Sequence, residues 1–127
     1  MENAVNLKGR RVILKRGDEY FIYRTEDIAY LFLENKICFL VDLRTEDIHR
    51  ISGNLHDICE LLDPREFYRV NKNYIVSIRS IVALKCCDVN KVELILNPKP
   101  RESVFISQLR IRHFKEWIEM ENMILSE

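Results

Sequence analysis

The chain has 127 residues, 47% of them hydrophobic and 31% charged, a balance that excludes a disordered or collagen-like polymer and predicts a single globular domain. Lys and Arg number 20 and Asp and Glu number 20, so the net charge is zero, which taken alone speaks against a nucleic-acid partner. No stretch of about 18 apolar residues is available to span a membrane, and the polar, basic start from Met1 to Arg11 lacks the apolar core of a signal peptide, so a cytoplasmic protein with no membrane partner is expected.

Residues 1–10 read as a leader and residues 11–127 as one domain, because no repeat, low-complexity tract or Pro/Gly/Ser linker divides the chain. The apolar runs Arg11 to Arg16 and Tyr20 to Arg24 flank Gly17-Asp18-Glu19 and predict a hairpin. Thr25-Glu26-Asp27 reads as a tight corner. Two further strands, Ile28 to Leu33 and Ile37 to Leu43, enclose Glu34-Asn35-Lys36. Asn54 is suited to cap a short helix with Leu55, Ile58, Cys59 and Leu62 on one face, ended by Asp63-Pro64. From Phe67 the pattern is again that of strands, with Tyr74 to Leu84 read as one and Val92 to Leu96 alternating as another. Asn97 to Pro100 then predicts a turn and Ser103 to Ile106 a last strand. Ser107 is placed to cap a terminal helix with Ile111, Phe114, Trp117 and Ile118 on its apolar side, supported by the pairs Arg112 with Glu116 and Lys115 with Glu119. The expected fold is mainly β, built of small antiparallel sheets with about seven strands, one short amphipathic helix and a C-terminal helix.

Charge is unevenly spread. Residues 1–64 carry nine basic and twelve acidic side chains (net −3), residues 65–115 carry eleven and four (net +7), and residues 116–127 carry none and four (net −4). Without a motif, a solvated face is the plainer reading of such a run. The acidic tail from Glu116 to Glu127 is read as packing on the sheet, the alternative being self-association.

Metal and cofactor chemistry is not expected. Cys38, Cys59, Cys86 and Cys87 have neither zinc-site nor disulfide-framework spacing, and His49, His56 and His113 lie far from one another in sequence. The thiols are read as reduced. No GxSxG elbow, phosphate-cradling glycine loop, HExxH or sequence-adjacent Cys-His pair occurs, so an enzyme is not expected.

Three segments, in order, carry a family resemblance: Asp27-Ile-Ala-Tyr-Leu-Phe-Leu-Glu-Asn-Lys36, Phe67-Tyr-Arg-Val-Asn-Lys-Asn-Tyr-Ile-Val-Ser-Ile-Arg-Ser-Ile81, and Ile106-Ser-Gln-Leu-Arg-Ile-Arg-His-Phe-Lys115. From about Arg11 to Lys115 the chain resembles the LytTR domain, and the middle segment, aromatic-x-Arg-Val then polar residues then Tyr-Ile-Val, is the most specific part. The resemblance implies a bacterial transcription regulator, related to response regulators, that reads a repeated element of double-stranded DNA through loops in the major groove; a second copy of the chain, as a dimer on DNA, is a further candidate partner. Residues carried over from it as DNA contacts are Asn35, Lys36, Asn71, Lys72, Asn73, Ser107, Gln108 and Arg110, and the basic Arg79 and Arg112 are added as DNA-binding candidates.

The residue chemistry at these positions is compatible with that role. Lys72 suits a guanine edge or a phosphate, and Asn71 and Asn73 suit adenine, although a polar turn ending a strand is the plainer reading of the trio. Ser107 to Arg112 joins a strand end to a helix start, where free amides suit a phosphate, or where Ser107 acts only as a cap. The chain departs from the family at Gln108, where arginine is common, and Arg110 is a candidate to supply the missing charge. A receiver domain usually precedes this family's DNA-binding domain, whereas about ten residues precede the first strand here, so phosphorylation within the chain is not expected. The competing reading is a β-rich protein-interaction module presenting a sheet edge or Tyr20, Tyr23, Tyr30 and Tyr68.

Overall fold

The computed structural model describes residues 11–120, 122 and 125; the leader 1–10 and most of the tail beyond Met120 lie outside the described residues. In chain order the strands are β1 (Arg11–Arg16), β2 (Glu19–Arg24), β3 (Ile28–Glu34), β4 (Ile37–Asp42), β5 (Ile48–Ile51), β6 (Phe67–Asn71), β7 (Tyr74–Ser77), β8 (Ile81–Asp88), β9 (Lys91–Leu96) and β10 (Val104–Phe105). Two α-helices accompany them, α1 (Leu55–Leu61) between β5 and β6 and α2 (Ile111–Glu119) after β10. The strands form a two-stranded hairpin β1-β2, a five-stranded antiparallel sheet in the order β5-β4-β3-β7-β6, and a three-stranded antiparallel sheet in the order β10-β9-β8. The mainly β expectation and the two helices hold. No helix among the described residues is long and apolar enough to cross a membrane.

Why β3 reads as an unbroken apolar run is clear from its surroundings. It is the central strand of the five, and both of its faces are covered, so alternation of apolar and polar residues is not required. On one face Ile28 and Leu31 join Leu40, Ile75, Leu55 and Phe67 beneath α1 and the β1-β2 hairpin. On the other, Tyr30 and Phe32 join Tyr74, Val76, Leu94, Phe114 and Trp117 under the three-stranded sheet and α2. A register shift between Ile28 and Tyr30 lets Ile28 and Leu31, three residues apart, share one face.

Several sequence expectations need correction. The stretch Tyr74 to Leu84 is not one strand, because a 3-10 turn over Ile78–Ser80 carries the chain from β7 in the large sheet to β8 in the small one. Buried serines make that corner: Ser77 Oγ accepts from the Arg79 N–H (3.1 Å) and Ser80 Oγ donates to the Ser77 carbonyl (2.8 Å). Strand β5 has no counterpart in the sequence reading. Its segment Ile-His-Arg-Ile lacks alternation, and it forms by pairing Ile48 to Ile51 with Val41 to Cys38 at the sheet edge.

The capping expectations divide. At α1, Asn54 Oδ1 accepts from the Asp57 N–H (2.9 Å), as the sequence predicts. Ser107 does not cap α2: a 3-10 turn over Gln108–Arg110 intervenes, α2 begins at Ile111, and Ser107 makes no side-chain capping bond. Its hydroxyl is engaged elsewhere. Arg112 and Glu116 form their i,i+4 pair at 3.8 Å on α2.

Helix α2 is held by its apolar stripe and by one polar anchor. Ile111, Phe114 and Trp117 are buried, and the Trp117 indole N–H donates to the Pro64 carbonyl (2.7 Å), tying the terminal helix to the chain just after α1. Because Phe114 is fully buried between Tyr68 and Trp117, Phe114→Ala is expected to lower unfolding stability by about 3–5 kcal/mol. Urea denaturation followed by Trp117 fluorescence reads this directly.

Candidate nucleic-acid interface

Antiparallel pairing brings two turns to the same end of the five-stranded sheet. Since β3 pairs with both β4 and β7, the β3-β4 turn (35–36) and the β6-β7 turn (72–73) lie side by side, and the Leu33 N–H donates to the Asn73 carbonyl (2.9 Å). Asn35 and Lys36 have φ of 52° and 66°, the left-handed geometry of a two-residue hairpin turn. Asparagine tolerates this conformation, whereas lysine is strained there. Both side chains are exposed.

The third segment reaches this end through a bulge. In β6, pairing with β7 shifts between Arg69 and Asn71, so Val70 has no partner on β7. Its carbonyl is instead taken by Ser107, through the backbone N–H (2.9 Å) and the hydroxyl (3.2 Å). Next to it the Asn71 amide serves two loops, its Oδ1 accepting from the Asn73 N–H (2.8 Å) and its Nδ2 donating to the Phe105 carbonyl (2.7 Å). The Ile106 N–H donates to Val92 O (3.0 Å), which joins the same segment to β9.

The arrangement brings together Asn35, Lys36, Asn71, Lys72, Asn73, Ser107, Gln108, Arg110 and Arg112, but not Arg79. Arg79 follows the far end of β7 and its guanidinium is 2.7 Å from Glu66 Oε1. Among the gathered residues the side chains differ in what they have left to offer. Asn71 has both ends of its amide engaged within the protein, and Ser107 has its hydroxyl donated to Val70 and accepting from Arg110 Nη1 (3.1 Å). Lys36, Lys72, Gln108, Arg110 and Arg112 are exposed. Four cations therefore face solvent around the gathered loops.

Two residues at this end carry roles that sequence reasoning did not assign. Arg69 donates through Nε to the Asn71 carbonyl (3.3 Å) and through Nη2 to the Lys72 carbonyl (2.8 Å), clamping the turn that presents Lys72. An arginine two residues before a polar turn is a weak signal, since its target is backbone. Leu109, at the centre of the 3-10 turn between Gln108 and Arg110, is 97% exposed. Its sequence gives no warning, because leucine beside a helix start ordinarily reads as core.

Other candidate surfaces are less available. Tyr30 is buried, Tyr23 and Tyr68 are partly buried, and only Tyr20 of the four tyrosines is broadly exposed. Burial also pushes the Tyr30 hydroxyl pKa up to about 12, with Tyr74 and Glu46 adding to the rise, so it stays neutral. The four cysteines are free, Cys38 buried and donating to the Gly53 carbonyl (3.2 Å), Cys86 and Cys87 exposed. Among the described residues no group of three or more His, Cys, Asp or Glu could hold a metal ion.

With this geometry in hand, comparison with known proteins is specific. The model of the LytTr DNA-binding domain family matches residues 18–119. No curated protein matches the chain. Among solved structures, the LytTr DNA-binding domain of a protein described as a methyl-accepting/DNA response regulator from Bacillus cereus superposes with a TM-score of 0.73 at 21% identity, covering 87% of this chain and 98% of that one. That likeness is one of fold.

The hydrogen bonds separate structural from exposed members of the face. Asn71→Ala leaves the Asn73 N–H and the Phe105 carbonyl without their partner and is expected to lower stability by about 1–3 kcal/mol, whereas Lys72→Ala, on an exposed turn, should change it by no more than about 0.5 kcal/mol. Lys36→Gly relieves the left-handed strain and should raise stability by roughly 0.5–1 kcal/mol. Urea midpoints of the three variants beside the parent protein provide the comparison.

Proposed function

This chain belongs to the LytTr DNA-binding domain family, and from that premise we propose that it is a cytoplasmic transcription regulator that binds duplex DNA sequence-specifically, as one domain over residues 11–127. In this reading the β3-β4 turn, the β6-β7 turn and the 107–110 segment enter the major groove and read a short repeated element, two copies of the chain occupying its repeats. The observation that supports it most is the convergence of these three segments at one sheet end with Lys36, Lys72, Arg110 and Arg112 exposed around them.

Roles follow from what each side chain has free. Lys72 sits on a turn whose carbonyls Arg69 holds, so its ammonium is delivered from a fixed base and suits a guanine O6/N7 edge. Arg110, braced on the Ser107 hydroxyl beside the start of α2, suits a phosphate, which positions the protein without reading sequence. Gln108 suits adenine. Asn71 acts as the strut between loops rather than as a base reader, and Arg79, paired with Glu66, is left out of the contact set.

The test is to select bound duplexes from a random pool and then titrate selected and scrambled duplexes over a range of salt. Neutralising four phosphates per protomer predicts a slope of log K against log salt of about −3 to −4 per chain. Lys72→Ala is expected to cost on the order of 1–3 kcal/mol on the selected duplex and to relax preference at one position. Arg110→Ala should weaken both duplexes alike. Equal binding to selected and scrambled DNA by the parent chain would refute the sequence-specific reading, and loss of discrimination in Gln108→Ala but not in Lys72→Ala would reverse the assignment of the two loops.

A further inference from the structure

Leu109 is the feature of this face that phosphate clamps and polar readers leave unexplained. It is 97% exposed, in a 3-10 turn flanked by Gln108 and Arg110, so its isobutyl group meets almost no other atom of the protein. The turn itself is well held: the Arg110 N–H donates to the Ser107 carbonyl (2.8 Å), and Ser107 is stitched to Val70 by two hydrogen bonds. An apolar side chain on a fixed base, surrounded by cations and amides, is placed to meet an apolar group within an otherwise polar and anionic partner. On the major-groove edges of the four base pairs the apolar group is the C5 methyl of thymine.

We propose that Leu109 is a specificity-determining residue that packs on a thymine methyl in the major groove, an inference that rests on the DNA-binding reading above and adds an apolar contact to it. Gln108, the preceding residue, carries an amide that matches the N6/N7 edge of adenine. The two side chains together make the 107–110 segment a reader of A·T pairs, where an arginine in the position of Gln108 would favour guanine. The amide of Gln108 and the exposed leucine beside it thus point to one base composition.

The test uses the full chain and the selected duplex, with each thymine replaced in turn by deoxyuridine, which removes the methyl and nothing else. Because Leu109 is exposed, Leu109→Ala should fold as the parent does, and circular dichroism checks this. For the parent chain, deoxyuridine at one thymine of each repeat is expected to weaken binding about four-fold, the effect of one buried methyl. Leu109→Ala should lose affinity by a similar or larger factor on thymine DNA and become indifferent to deoxyuridine at that position, while keeping its salt dependence. If no thymine is sensitive in the parent, or if Leu109→Ala retains the parent's sensitivity, the inference is wrong although the sequence-specific reading survives. Retained sensitivity together with lost cooperativity between repeats would instead assign Leu109 to a contact with a second copy of the chain. A parent chain that prefers no sequence removes the DNA reading and this inference with it.

Discussion

The fold of the candidate interface depends on the bulge in β6. By leaving Val70 without a partner on β7, it turns one buried carbonyl toward Ser107, which takes it with two donors. An unpartnered backbone carbonyl at a buried valine would be costly, so the bulge depends on the 105–107 segment, which is itself bonded to β9. The Asn71 amide closes the same junction from the other side. From this junction follow the placement of the 3-10 turn, the start of α2 and the meeting of the two larger sheets.

Much of the charge in the basic stretch is structural. Arg65 lies 3.1 Å from Asp63, Arg79 2.7 Å from Glu66 and Arg101 3.1 Å from Glu34, while Arg69 is bound to turn carbonyls. With Arg110 on the Ser107 hydroxyl and Arg112 3.8 Å from Glu116, at least six of the eleven cations between residues 65 and 115 have partners within the protein. A count of positive residues overstates the electrostatic attraction this face can exert, and the exposed set around the turns is the better measure of it.

The β framework was legible wherever local pattern and tertiary demand agree. The β1-β2 hairpin has a glycine at φ 61° in its turn, the Asn54 cap forms as its residue type predicts, and the apolar positions of α2 are the buried ones. Misreadings fall where backbone bonding outweighs side-chain pattern. Ser77 and Ser80 break an apolar run because their hydroxyls make the corner between two sheets, and residues 48–51 become a strand because β4 offers an edge. At the interface the sequence located the turns, through Asn35-Lys36 and Asn71-Lys72-Asn73, but not how labour is divided within them. Whether an asparagine amide is free or committed depends on what lies 34 residues away, as with Asn71 and Phe105. The same is true of Leu109, whose exposure is decided by the 3-10 turn that displaces the expected helix start.

The Arg69 clamp has a kinetic meaning. A turn whose carbonyls are fixed before any partner arrives loses little conformational freedom on docking, so capture approaches a rigid-body encounter governed by the surrounding charge. Right and wrong DNA sequences would then be captured at similar rates and differ in how long they are kept. On the proposed reading, discrimination by such a surface would be carried in residence time, and the guanidinium of Arg69, bound to backbone carbonyls, would help to set its length.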